Sequence, residues 1–417
     1  MLRFFRRFSV AVFVFILAFG VENDLFFQKI ASLEARALGD FSPRLDLSLA
    51  DTTLATLEEQ KGIKFPANTL TFSLADKVYT YENVELNTRG NSSWLTEKKS
   101  YQLKFPTKTE LFGLGRSRTW ILVANAYDPT HLRNDFAQYL AETVGFSRSF
   151  RGEYVELFVD GNYRGLYYLM PKINSTTTNL KDPTSLIVEI SNIHLDPTDL
   201  YVRADNSDAL SLADTPEKDP SAQLALLESF TDSYNSLLSA IAAQDYSAVE
   251  SLIDVDSFAR YCLLSEFSEN VDAYKTSFYL YKRDATDKIH ADIAWDFDLA
   301  FGNSNSLDGL LDLGPSDSLI SRRANYDSDS RIIYDLLDFP EFSDRVSEIY
   351  LETIVLREEE ILSYLDHKKD AIRASAIANN LTWGSGNFDI EAQKLQNWVL
   401  NRIEYFSTVH KNGGQYD

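Results

Sequence analysis

The chain of 417 residues contains a single cysteine, Cys262. One thiol cannot form an intrachain disulfide, and a metal site built from cysteines is excluded. Cys262 lies in the apolar stretch 258–264, which is typical of a buried helix in which a thiol is packed and unreactive. The five histidines show none of the spacings that are typical of metal ligands. Neither residue type predicts a metal site.

Positive charge is scarce as well. The chain has 40 lysines and arginines against 62 aspartates and glutamates, and its formal net charge is −22. A protein that binds nucleic acid nonspecifically needs a basic surface, and so does one that adheres to anionic lipid. The charge balance argues against both classes, and we predict no nucleic-acid partner. The hydrophobic content of 44% allows large cores, and the length favours two lobes or domains.

A long apolar run is found near the N-terminus. Arg3, Arg6 and Arg7 precede the run 8–19, which is short for a membrane span but fits the core of a secretory signal. We predict that residues 1–20 are a signal peptide, with an uncleaved N-terminal anchor as the alternative. The protein is then secreted or held in the cell envelope or at the cell surface. The mature chain has no membrane span unless this segment is an anchor.

The rest of the chain is expected to divide into parts of different pattern. The predicted parts are a lead-in at 21–45, a strand-rich region at 46–172, a mainly helical region at 173–410 and a disordered tail at 411–417. Asp160-Gly161 between two strand-like runs predicts a hairpin. Asp128-Pro129 predicts the start of a helix within the strand-rich region, and Gly145 its end.

A basic motif interrupts the acidic background of the strand-rich region. It runs Arg89-Gly90-Asn91-Ser92-Ser93-Trp94 and continues with Lys98-Lys99-Ser100-Tyr101-Gln102-Leu103-Lys104. Glycine and small polar residues let the backbone approach a ligand, and arginine and lysine neutralise phosphate. The motif is typical of a polyphosphate-binding loop, but equally of a turn followed by a solvated strand face. Its spacing alone leaves both interpretations open.

Three aspartates lie on a predicted hairpin in the second region. Asp272 precedes the strand-like run Phe278–Tyr281, and Asp296 and Asp298 come at the end of the next run. Such a hairpin would bring the carboxylates to one edge of a sheet, although like charges repel. A divalent cation with bound phosphate would explain the cluster, since one aspartate orients the acceptor hydroxyl in phosphoryl transfer and another holds the metal. An acidic turn, or the paired carboxylates of a glycosidase, would also give this pattern.

Several long motifs together resemble the spore coat protein H (CotH) kinase family. They occur in the family's order across roughly residues 60–410. The motifs are the Arg89 to Trp94 motif with Lys98-Lys99-Ser100-Tyr101, Leu132-Arg133-Asn134, the segment from Val155 to Tyr167, Asp272 with Phe278-Tyr279-Leu280-Tyr281-Lys282, and Trp295-Asp296-Phe297-Asp298.

The resemblance implies an α+β fold that is bilobal and divergent protein-kinase-like, with a strand-rich N-lobe and a mainly helical C-lobe. It implies an atypical kinase that transfers the γ-phosphate of ATP to serine or threonine of a protein, with Mg²⁺ or Mn²⁺ as cofactor. The implied site residues are Asp272 as the catalytic aspartate, Asp296 and Asp298 as metal ligands, and Arg89, Lys99, Lys104 and Tyr167 as ATP- or phosphate-binding residues.

The sequence departs from the family pattern at two positions. Ser277 stands where the family often has an asparagine, five residues after the catalytic aspartate, and a hydroxyl is a poorer magnesium ligand than an amide carbonyl. Pro171-Lys172 stands where the family commonly has Glu-Lys. The resemblance therefore predicts a weaker second metal site and slower turnover.

The alternative function is a non-catalytic or weakly catalytic surface adhesion or structural protein on the same fold. Some members of the family are surface adhesion proteins, and export brings the chain to places where ATP is scarce. Asp272 and Asp296 favour the enzyme. The serine-rich segment 302–330 is predicted to be a long loop that shapes the acceptor site and is open to autophosphorylation.

Overall fold

A computed structural model describes residues 41–74, 77–196, 198–303 and 329–411. The predicted signal peptide and nearly all of the predicted loop at 302–330 and of the predicted tail at 411–417 lie outside these ranges. Across the described ranges, no helix combines the length and the apolar character that a membrane crossing requires.

The strands are β1 (Arg44–Ser48), β2 (Phe65–Leu74), β3 (Lys77–Arg89), β4 (Ser100–Glu110), β5 (Arg116–Val123), β6 (Glu153–Val159), β7 (Asn162–Pro171), β8 (Leu186–Ile190), β9 (Tyr201–Arg203), β10 (Ala209–Asp214) and β11 (Phe278–Lys282). The α-helices are α1 (Leu54–Glu59), α2 (Arg133–Thr143), α3 (Pro220–Ala242), α4 (Tyr246–Leu252), α5 (Val255–Ser268), α6 (Ile332–Leu337), α7 (Pro340–Thr353), α8 (Glu358–Trp383) and α9 (Phe388–Lys411).

The first seven strands form a closed barrel in the order β1-β2-β3-β4-β5-β7-β6. The barrel closes because β1 pairs in parallel with β6, from Arg44 opposite Glu156 to Leu47 opposite Val159. Closure gives each of the seven strands a paired neighbour on both sides. Large side chains, among them Trp120, fill the interior, so that the barrel has a packed core.

Strand β7 belongs to two cores at once. Tyr167 and Leu169 point into the barrel, whereas Leu166, Tyr168 and Met170 alternate with them and pack in the core of the helices. Both faces of this strand are therefore buried, which explains its continuous apolar run.

A second sheet with the order β11-β8-β10-β9 lies in the part of the chain that was predicted to be mainly helical. Its strands are antiparallel, and Val188 of β8 lies opposite Leu280 of β11 and Leu212 of β10. The buried side chains of this sheet join those of α2, α3, α5 and α7 in one continuous hydrophobic core.

The predicted bilobal arrangement of a strand-rich N-lobe and a helical C-lobe is wrong, although the fold is indeed mixed α+β. The strand-rich region closes on itself as a barrel, and the second region contributes a sheet of its own. The outer face of β5, β6 and β7 shares its core with the helices, because Ile121, Tyr154 and Tyr168 pack there.

The predicted hairpin of the aspartates is also wrong. Strand β11 pairs with β8, and its contact with the following run is one isolated bridge between Tyr281 and His290. Asp296 lies in irregular backbone with φ of 65°. The apolar run before it is buried by its packing against other elements and not by strand pairing.

Two local predictions have clear outcomes. The hairpin at Asp160-Gly161 is confirmed, because both residues have positive φ and Val159 lies opposite Asn162. Helix α2 begins later than predicted, at Arg133. The Asp128 carboxylate accepts hydrogen bonds from the backbone N–H groups of Thr130 and Arg133, so it closes the turn that precedes the helix.

Candidate functional site

A cavity of about 650 Å³ lies between the outer face of the barrel and the segments that carry the three aspartates. Arg89 and Lys172 line it on the barrel side, and Asp272, Asp296 and Asp298 line it on the opposite side. Its volume falls in the range of small-molecule sites. The structure thus brings together residues that are far apart in the sequence.

Helix α2 holds the segment that carries Asp296 and Asp298. The Asn134 side chain accepts a hydrogen bond from the N–H of Phe297 at 2.8 Å, and Gln138 donates to the carbonyl of Ala294 at 2.8 Å. Arg133 donates to the carbonyl of Ala300 at 2.9 Å. Three side chains of one helix therefore fix the backbone before, within and after the aspartate pair.

Asp296 adopts a left-handed backbone conformation, which is uncommon for residues other than glycine. The Asn270 side chain donates to the Asp296 carbonyl at 3.2 Å and accepts a hydrogen bond from the N–H of Asp272 at 3.2 Å. Asn270 therefore ties the backbones of the two aspartates together. Such a strained, over-determined conformation is frequent at functional sites.

The three carboxylates lie close enough together that their charges affect the ionisation of Asp296 and Asp298. Asp296 is open to the cavity but deep within the protein, and burial, followed by the charge of Asp272, raises its pKa to about 6. Arg89 and a hydrogen bond from Ser277 act in the opposite direction. Burial and the charge of Asp296 also raise the pKa of Asp298. This concentration of negative charge favours a bound cation.

Arg89 provides positive charge opposite the aspartates. Its guanidinium lies 5.7 Å from the ring centre of Trp295, and burial lowers its pKa while Asp296, Tyr279 and Glu189 act against this change. Gly90 follows with φ of 107°, and a Cβ there would lie 2.2 Å from the Ser93 hydroxyl. The Ser93 hydroxyl could rotate away, but the positive φ would strain any residue with a side chain, so glycine lets the loop turn at the cavity wall.

Three of the predicted phosphate-binding or nucleotide-binding residues do not line the cavity. Lys99 donates to the carbonyl of Trp94 at 2.5 Å and lies over the ring of Trp94, and Lys104 pairs with Glu85 at 3.4 Å. Tyr167 is buried in the barrel core and donates to the carbonyl of Lys99 at 2.9 Å. Arg89, Asp272, Asp296 and Asp298 are the predicted site residues that the structure does bring together.

Lys172 and Glu189 are among the residues of the cavity wall that the sequence did not predict as site residues. Lys172 occupies the lysine position of the family's Glu-Lys pair, and that match was the available signal. Glu189 is the one charged residue in the apolar run Leu186–Ile190. A charge within an otherwise buried strand requires a polar partner, and this requirement could have identified it.

Glu189 supports the segment that follows Asp272. Its carboxylate accepts a hydrogen bond from the N–H of Ser277 at 3.0 Å, where the backbone φ is 55°. Burial raises the pKa of Glu189, while this hydrogen bond and one from Tyr279 oppose the rise. Glu189 is thus a positioning residue for the segment 272–277.

Replacing Glu189 with alanine should lower the free energy of unfolding by about 1–3 kcal/mol, because the Ser277 N–H loses its charged acceptor. Glu189→Gln keeps an acceptor oxygen and should lose less than half of that amount. Chemical denaturation of the two variants beside the parent protein measures both values. Equal losses in the two variants would show that the negative charge matters and the hydrogen bond does not.

The donor set of the cavity suits a hard divalent cation. No three or more His, Cys, Asp or Glu side chains of the described residues form a ready-made metal cage. Magnesium in phosphate-binding sites needs only one or two carboxylates, because phosphate oxygens and water complete its coordination. The crowded carboxylates of Asp296 and Asp298 fit this incomplete type of site, and the Ser277 hydroxyl is directed to Asp296.

Comparison with known proteins gives a family for this chain. A family model described as "CotH kinase protein" matches residues 86–406, which is most of the sequence. The match includes the cavity residues from Arg89 to Asp298. A search of curated proteins found no match.

Proposed function

This chain belongs to the CotH kinase family, and we propose that it is an exported atypical protein kinase that transfers the γ-phosphate of ATP to serine or threonine of a protein. The observation that carries the proposal is the cavity in which Arg89 and Lys172 lie opposite Asp272 and Asp296. Phosphoryl transfer depends mainly on positioning and on charge neutralisation, and these residue types supply both.

Each residue has a role in this proposal. Arg89 and Lys172 bind phosphate oxygens and offset their charge. Asp272 accepts the proton of the acceptor hydroxyl and orients it, and Lys275, 3.3 Å from the Asp272 carboxylate, holds that carboxylate in place. Asp296 and Asp298 would hold Mg²⁺ or Mn²⁺, which when bound supplies positive charge to the phosphate groups.

The proposal is tested by incubating the purified chain without residues 1–20 with γ-labelled ATP and Mg²⁺ or Mn²⁺. Label should be incorporated into the chain itself or into an added serine-rich protein, and mass spectrometry should place it on serine or threonine. The variant Asp232→Asn, which removes one exposed carboxylate from α3, should behave like the parent protein. If the protein neither binds ATP nor incorporates label with either ion, the surface adhesion function becomes the better hypothesis for this protein.

Removing the divalent cation should stop transfer, and Asp296→Asn should lower the affinity for that cation. Loss of a residue that only supports a ligand already costs roughly ten-fold or more in metal affinity, so loss of the ligand itself should cost at least as much. Titration of Mn²⁺ into the ATP-bound protein, followed by calorimetry, measures the affinity. Asp232→Asn is again the matched control, and unchanged Mn²⁺ binding in Asp296→Asn would contradict the assignment.

A further inference from the structure

Two amides on the barrel wall of the cavity form a chain with a fixed orientation. Asn87 of β3 and Gln102 of β4 lie opposite each other in the sheet, and both line the cavity. The Gln102 side-chain nitrogen donates to the Asn87 side-chain oxygen at 3.2 Å. The Asn87 side-chain nitrogen donates in turn to the backbone carbonyl of Thr88 at 2.9 Å.

The Thr88 carbonyl determines how both amides are oriented. A carbonyl oxygen can only accept a hydrogen bond, so Asn87 must direct its NH₂ group towards Thr88 and its oxygen towards Gln102. Gln102 must then direct its NH₂ group towards Asn87, because the opposite orientation would bring two oxygens together. Asn87 is 7% exposed, so water does not readily replace these contacts.

Gln102 therefore keeps a free edge of defined polarity. Within the described part of the chain, its side chain makes no other hydrogen bond, so its oxygen and the second hydrogen of its NH₂ group are available to a ligand. Side-by-side acceptor and donor groups of this kind match the amine and the ring nitrogen of adenine. A 6-oxopurine such as guanine or hypoxanthine has an oxygen where adenine has its amine, and that oxygen would face the Gln102 oxygen.

The position of Gln102 is consistent with this role. Arg89 lies opposite Ser100 in the sheet, and Ser100 is two residues before Gln102 on β4. Two residues of a strand span about 7 Å, so one nucleotide is long enough to contact both positions. The neighbouring residues Tyr101 and Leu103 point into the barrel, which places Gln102 on the outer, cavity-facing side.

We infer that Gln102, oriented by Asn87, recognises the amine edge of adenine and makes the cavity selective for adenine over 6-oxopurine nucleotides. The inference rests on the proposed function, since it assumes that the cavity binds a nucleoside triphosphate. It adds the residue that determines which base is accepted.

Calorimetric binding of ATP and of inosine triphosphate, each with Mg²⁺, tests the inference, because the two bases differ at this edge. The parent protein should bind ATP about ten-fold more tightly or better, as is typical of one such amide pair with adenine. Gln102→Leu should bind both nucleotides with affinities within about three-fold of each other, mainly through weaker ATP binding. Gln393→Leu, which changes an exposed amide on α9, should keep the parent preference.

Asn87→Ala provides a second and independent variant. It leaves Gln102 in place but releases its amide to rotate, so inosine triphosphate should bind more tightly than it does to the parent protein. Binding of neither nucleotide to the parent protein would overturn the proposed function itself. Equal binding of the two nucleotides to the parent, or an unchanged preference in Gln102→Leu, would overturn the inference and leave the proposed function standing.

Discussion

Replacing Asp272 with asparagine should lower the rate of phosphate transfer by about a hundred-fold to ten-thousand-fold, the usual contribution of a positioned general base. Asparagine keeps the shape of the side chain and cannot accept the proton of the acceptor hydroxyl. The Asp272 carboxylate lies on the cavity and pairs only with Lys275 among the described residues. The rate of label transfer at saturating ATP measures the effect.

The fold and ATP binding should survive this substitution. The pair of Asp272 with Lys275 is partly exposed, and such pairs contribute about 0–1 kcal/mol. The Asp272 N–H keeps its acceptor, the side chain of Asn270. The melting temperature and the calorimetric affinity for ATP should therefore stay close to the parent values. Transfer at the parent rate in Asp272→Asn would remove this residue from the mechanism, whereas loss of ATP binding would give it a structural role.

The sequence was sufficient to identify four of the charged residues that line the cavity. Arg89, Asp272, Asp296 and Asp298 belong to short motifs in which the type of side chain indicates the chemistry, and all four line the cavity. The motifs did not show how these residues meet. Asp296 reaches the cavity because α2 holds its segment through hydrogen bonds over more than 150 positions of sequence, and no local pattern indicates such contacts.

Strand geometry explains why Lys99 and Tyr167 do not line the cavity. Side chains on a strand alternate between its faces. Tyr101 points into the barrel, whereas Ser100 and Gln102 line the cavity. Lys99, just before β4, is two residues from Tyr101 and is therefore on the side of Tyr101, away from the cavity. Tyr167 points into the barrel on β7 by the same alternation. These assignments required knowledge of which face is the interior, and only the closed barrel provides it.

Closure of the barrel was beyond the reach of local patterns. It depends on parallel pairing between β1 and β6, which lie about a hundred residues apart. Strand β1 has only five residues, and its short alternation does not indicate a partner. A run that is apolar on both faces, as in β7, is compatible with a fold of one lobe or of two lobes. The core that β7 shares with the helices decides against separate lobes.

Replacing Arg402 with methionine should lower the free energy of unfolding by about 3–5 kcal/mol, the usual cost of leaving one member of a buried ion pair without its partner. Arg402 of α9 lies 3.0 Å from Glu269, and both side chains are 0% exposed. The arginine also donates to the carbonyls of Glu266 and Phe267 at the end of α5. The matched control is Arg373→Met, whose partner Asp389 is solvent-exposed, and its loss should cost about 0–1 kcal/mol.

The same substitution should reduce transfer although Arg402 does not line the cavity. Glu269 has φ of 48° and directly precedes Asn270, which holds the backbones of Asp272 and Asp296. The double variant Arg402→Met with Glu269→Gln removes both charges and should recover part of the lost stability, because no unpaired charge remains buried. Denaturation curves of the two single variants and the double variant give the coupling energy. If the losses of stability in the two single variants instead add up to the loss in the double variant, the ion pair does not support the segment that carries Asp272. The activity of Arg402→Met should then equal that of Arg373→Met.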